Sequence, residues 1–161
     1  MKGKTRERDR GHKKILAALR QNAGHSYVKV GILQKDADNP LGGAADTSFK
    51  ILDVALVNEF GSEDGHVPER SFMRSTYDQK KSSWQILTHI LQKEMLLGKT
   101  TAKKALAQIG MTIQAAIKDK ILSGIGPENA EATIAKKGSS HTLIDKGQLL
   151  NTIHYEVVDR K

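Results

Sequence analysis

The sequence predicts an α+β fold, a small antiparallel sheet packed by two long helices. Three observations predict it. Apolar residues advance by three or four along residues 71–97 and again along 100–123, the period of an amphipathic helix. Two short stretches, 26–33 and 151–158, alternate instead and are rich in β-branched residues, the period of a strand. The strand-like stretches bracket the helical ones, so pairing them into one sheet leaves the helices to cover a face of it.

The elements follow in order. Ile15, Leu16, Ala18 and Leu19 repeat at helical spacing before a stop at Asn22-Ala23-Gly24. Tyr27–Leu33 reads as the first strand. Residues 34–50 carry Asp36, Asp38, Asn39, Pro40, Gly42 and Gly43 and read as a loop. At that length it is expected to be functional or disordered. Leu52, Val54, Ala55, Leu56 and Val57 predict a short helix that stops at Gly61, and Pro68 follows in the next turn. The first long helix is expected to begin at Ser71 as N-cap, to carry Met73, Tyr77, Trp84, Leu87, Leu91 and Met95 on its apolar face, and to end at Gly98. The second carries Ala102, Ala105, Leu106, Ile109, Ile113, Ala116, Ile117 and Ile121. Trp84 and Ile113 are expected to be buried where the two helices meet. Gly110 costs a helix about 1 kcal/mol relative to Ala, which predicts close packing against the neighbouring helix. Gly124, Gly126 and Pro127 end the second helix, 127–147 reads as loop, and Thr152–Val158 is the last strand.

The 161 residues carry 26 Lys and Arg against 18 Asp and Glu, a net charge of +8. Residues 1–14 hold seven of those cations (Lys2, Lys4, Arg6, Arg8, Arg10, Lys13 and Lys14) against Glu7 and Asp9, a net of +5. The division is therefore a basic N-terminal arm, 1–14, and one α+β domain, 15–161, whose charge is nearly balanced. Such an arm either neutralises phosphates, with contact to DNA, or stays solvated. Cys is absent, which excludes disulfides, thiolate metal sites and Cys nucleophiles. No apolar run approaches the ~20 residues of a membrane span, and no leader peptide is visible, so a soluble protein made in the cytoplasm is expected.

Searches for chemistry return little. Gly61-Ser62-Glu63-Asp64-Gly65 lacks the spacing and the strand–turn–helix context of a nucleophile elbow, and no phosphate-binding glycine loop is present. The six histidines include no pair at i, i+4 spacing. Asp36-Ala37-Asp38 opens like a calcium loop, but its seventh position is Gly42 and its twelfth Thr47. Arg20 and His25 have the separation that helical ribonucleases use at a scissile phosphate, yet Gly24 interrupts the helix between them. The aromatic residues fall mostly on the apolar stripes rather than forming a stacking platform. No catalytic residue, metal or cofactor is expected.

One stretch is distinctive: Val54-Ala55-Leu56-Val57-Asn58-Glu59-Phe60-Gly61, then Val67-Pro68-Glu69-Arg70-Ser71-Phe72-Met73-Arg74. It resembles the "N-E-F-G … I-P-x-R-P-F-x-R" signature of tailed-bacteriophage neck, head–tail joining and tail-completion proteins. Ile109-Gly110 is similar to that family's second long helix. Ala132–Ser139 and Leu143-Ile144-Asp145-Lys146-Gly147-Gln148-Leu149 resemble its "T-I-x-x-K-G … L-x-D-T-G-x-L" ending, and Leu150–Tyr155 its final strand. The resemblance spans about residues 26–158 in order. Ser71 stands where the family often has Pro, and Lys146 where it usually has Thr.

Independently of that resemblance, Phe60 is suited to anchor the short helix in the core while Gly61 takes a positive φ. Arg70 and Arg74 lie one turn apart at the start of the long helix, where cations oppose the macrodipole and call for carboxylate partners, with Glu59 or a neighbouring subunit as the source. Asp145 and Gly147 read as the turn that delivers the last strand. The resemblance implies a non-enzymatic virion-assembly protein. It would form rings by head-to-tail self-association and act at the head–tail junction or tail top, between connector and tail proteins. Asn58, Glu59, Phe60, Gly61, Pro68, Arg70, Phe72, Arg74, Asp145 and Gly147 would be its motif or interface residues. The competing expectation is a small basic nucleic-acid-binding protein or ribonuclease.

Overall fold

The computed structural model describes residues 11–21, 26–40 and 50–159. The order is α1 (His12–Gln21), β1 (Tyr27–Ile32), α2 (Gln34–Ala37), α3 (Ile51–Phe60), α4 (Arg74–Leu96), α5 (Ala102–Leu122), α6 (Glu131–Lys137), α7 (Gln148–Thr152) and β2 (Ile153–Val158). This is the α+β architecture the sequence predicts. β1 and β2 pair antiparallel, with Val28 opposite Val157, Val30 opposite Tyr155 and Ile32 opposite Ile153.

α5 lies across both strands, and α4 packs along α5 as the other arm of a helical hairpin, with α1 resting on α4. The reversal between the long helices is made at Gly98, whose φ is 71°. Its N–H reaches the Met95 carbonyl at 3.0 Å, and that of Lys99 reaches Glu94 at 2.9 Å. α5 opens on Thr101, whose hydroxyl accepts the Lys104 N–H at 3.4 Å. Ile51, Ala55, Phe72, Ile117, Ile121, Leu149 and Ile153 form the core, drawing on α3, the approach to α4, α5, α7 and β2. Residues far apart in the chain thus meet in one cluster.

Several expectations are corrected. Part of the predicted 34–50 loop is helical, as α2, and Pro40 forms an isolated antiparallel bridge with Lys50. Part of the 127–147 loop is helical too, as α6. α4 begins at Arg74, three residues after the expected cap. Gly110 packs against the sheet rather than the neighbouring helix: a Cβ there would lie 2.6 Å from the Tyr155 ring and 2.8 Å from Val28. Trp84 and Ile113 are half-buried and Tyr77 is exposed. The physical reason is the narrow sheet. α5 covers it, and an open groove remains between β1 and α4, walled by Val28, Val30, Tyr77, Trp84 and Ile113. Trp84 settles against Tyr77 in that wall, ring centroids 6.1 Å apart. Among the described residues, no helix is long and apolar enough to cross a membrane.

Candidate functional site

The distinctive residues converge on the junction between α3 and α4. Glu59 sits in the last turn of α3 and is 5% exposed. Its Oε1 accepts from the Ser71 hydroxyl at 2.8 Å and from the Arg74 backbone N–H at 2.9 Å, and Oε2 accepts from the N–H groups of Phe72 at 2.8 Å and Met73 at 2.9 Å. The first N–H groups of a helix have no intrahelical acceptor, and an N-cap side chain usually supplies one. Met73, the residue before α4, supplies no such bond. Glu59 does so from another helix, and places negative charge at the positive end of the dipole.

Arg74 closes the clamp. Its Nε donates to Glu59 Oε1 at 3.2 Å, while its Nη2 donates to the Glu59 carbonyl at 2.8 Å and to Glu69 Oε1 at 2.7 Å. Burial pushes the Glu59 carboxyl up, but the hydrogen bonds from Met73, Arg74, Ser71 and Phe72 outweigh it and hold the group below the usual carboxylate range. With five donors on one carboxylate, no lone pair is left for proton transfer. Glu59 is a structural cap.

The neighbouring residues follow from this clamp. Phe72 is fully buried in the core. Phe60, expected in the core, is 58% exposed and lies beneath the Arg74 guanidinium, 4.5 Å from its ring centre. It sits beside Glu59, and the helix that turns Glu59 inward turns Phe60 out. Gly61 has the expected positive φ, 79°, and a side chain there would press on the backbone of Val67 and Glu69 at 3.2–3.3 Å. The Asn58 carbonyl accepts the Arg70 N–H at 2.7 Å, which pins the segment after Pro68 to α3.

Arg70 departs from expectation. It precedes α4, and its partners are not carboxylates. Nε donates to the Pro127 carbonyl at 2.8 Å and Nη2 to that of Glu128 at 3.1 Å. The guanidinium ties the α3–α4 junction to the segment after α5. Beside it lies a cavity of about 500 Å³, bounded by α3, the Val67–Arg70 segment, residues 127–130 and the turn before α7. Asp145 is exposed at this cavity, and Gly147, φ 73°, starts α7 as the predicted turn. The partners Pro127 and Glu128 were not legible in the sequence, because backbone carbonyls leave no residue-type signal.

The remaining candidates lie apart. Lys13 and Lys14 are exposed on α1, within the helix rather than an arm, and Arg20 is exposed on the same helix. Lys2, Lys4, Arg6, Arg8 and Arg10, with His25 and Thr47, lie outside the described residues. Asp36 is directed toward His154, 3.8 Å from its Nε2. No group of three His, Cys, Asp or Glu side chains fit to hold a metal ion occurs among the described residues. Comparison with protein-family models, curated proteins and solved structures returned no match.

Proposed function

We propose that this chain is a structural subunit of a tailed phage or prophage virion, a ring-forming adaptor in head–tail joining or tail completion. The observation that carries the reading is the ordered run of motif pieces from Asn58 to Tyr155, similar to neck and tail-completion proteins. Two structural facts support it. Glu59 and Arg74 are spent on holding elements together. α3 also leaves Leu52, Leu56, Val57 and Phe60 exposed, and α4 leaves Ile86 and Ile90, apolar area that subunit packing would cover. The partners would be further copies of the chain together with connector and tail proteins, and the location the head–tail junction or tail top.

Disrupting the gene in the phage that carries it tests the reading. The expected result is filled heads and separate tails that fail to join, or tails of abnormal length, restored by supplying the protein in trans. Normal infectious particles would overturn it. Mass spectrometry of purified virions separates a structural subunit, which is retained, from an assembly chaperone, which is not.

A further inference from the structure

The cavity beside the clamp contains a buried cation that has no counter-ion among the described residues. Arg70 is 6% exposed. Of the five N–H donors of a guanidinium, the two carbonyls of Pro127 and Glu128 engage two. Among the described residues Nη1 has no hydrogen-bond partner, and Arg70 lines the cavity. No described carboxylate lies within ion-pair distance of Arg70. Glu128 and Asp145 border the same cavity but are exposed, where water screens them. A charge at this depth is costly unless paired, and two neutral carbonyls offset only part of the cost. Burial also pulls the Arg70 pKa below its ordinary value, in keeping with an unpaired charge.

The rest of the lining limits what can pair with it. Val54, Val67, Pro68, Leu143 and Leu149 supply apolar wall. A planar fork of N–H donors matches a carboxylate, and apolar walls match the carbon chain that carries one. We propose that this cavity binds a carboxylate carried on a short apolar body, with Arg70 as its anchor. Two sources share that chemistry: a free short-chain acid, and a Glu or Asp side chain flanked by apolar residues on another protein segment. The site rests on the burial of Arg70 and stands apart from the assembly role proposed above.

Titration of the isotopically labelled full chain, followed by NMR, tests it. The probes are isovalerate and its amide, N-acetyl-Leu-Glu-Leu amide and its Gln counterpart, and inorganic phosphate. A carboxylate probe should give saturable shifts at the Arg70 Nε–H and at the Val67 and Leu149 amides, with its uncharged isostere about tenfold weaker or more. Saturation by isovalerate identifies a free acid as the ligand. Saturation by the peptide alone identifies a protein segment. Arg70→Lys keeps the charge but loses the fork and should weaken binding about tenfold, while Lys93→Gln, exposed on α4 away from the cavity, should leave it unchanged. Where Arg70→Lys fails to fold, the comparison of acid with amide on the unaltered chain still decides. Absence of saturable shifts with every carboxylate, equal binding of the amides or of phosphate, or an equal loss of binding in Lys93→Gln would overturn the site.

Discussion

Glu59 belongs to α3 and caps α4, so its replacement tests how the junction is held. Glu59→Gln keeps the size but removes the charge that five donors share, and leaves buried N–H groups poorly matched. The expected loss is about 3 kcal/mol at neutral pH, read by urea denaturation. The pH dependence follows from the direction of the shift. The folded-state pKa lies below the unfolded one, so the contribution is full above the ordinary carboxylate range and fades as pH falls through the folded value. The gap between the native chain and Glu59→Gln should therefore narrow in acid, and a constant gap would contradict the assignment. The two phenylalanines nearby should separate sharply. Phe72→Ala empties a fully buried site and should cost about 3–5 kcal/mol, whereas Phe60→Ala removes a half-solvated ring and should cost about 1 kcal/mol.

At the scale of elements, the seating of α5 on the sheet depends on Gly110. Alanine would gain about 1 kcal/mol of helix propensity there, but its Cβ would meet the Tyr155 ring and Val28 at 2.6–2.8 Å. Both obstacles belong to packed strand residues, so the overpacking cost of about 1–3 kcal/mol should win and Gly110→Ala should destabilise. Tyr155→Leu in the same chain should recover part of the loss, and strict additivity of the two changes would show that the contact does not exist. The sequence made some of this legible. The long helices and the strands announce themselves because their apolar period persists over many residues. α2 has only four residues, less than two turns, and among the described side chains of α6 only Ile134 is partly buried, so neither writes a stripe. The start of α4 was misread because its cap comes from Glu59, twelve to fifteen residues upstream, where no local signature can show it. The closeness of Gly110 to something was readable. That the something was the sheet required knowing which face of α5 the strands take.

At the scale of the whole molecule, the positive charge of the sequence is concentrated towards its N-terminal end. α1 starts at His12, with the Ile15 N–H bound to the Gly11 carbonyl at 3.1 Å, so Lys13 and Lys14 belong to a helix that removal of residues 1–14 would damage. Removing residues 1–10 instead takes away Lys2, Lys4, Arg6, Arg8 and Arg10 with Glu7 and Asp9, and spares α1. In a ring around a DNA channel, such segments from every subunit would act together, and linkage would raise their effective concentration well above that of one subunit alone. Binding should then be indifferent to sequence and steeply dependent on salt, because each neutralised phosphate contributes roughly 0.9 to the slope of log affinity against log salt. Assembled rings lacking residues 1–10 should still form but bind DNA with a shallower slope, measured by fluorescence anisotropy over a salt series. An unchanged slope would remove DNA from the segment's role. Failure of the rings to form would instead make it a protein contact, since losing phosphate affinity alone cannot prevent subunits from closing on one another.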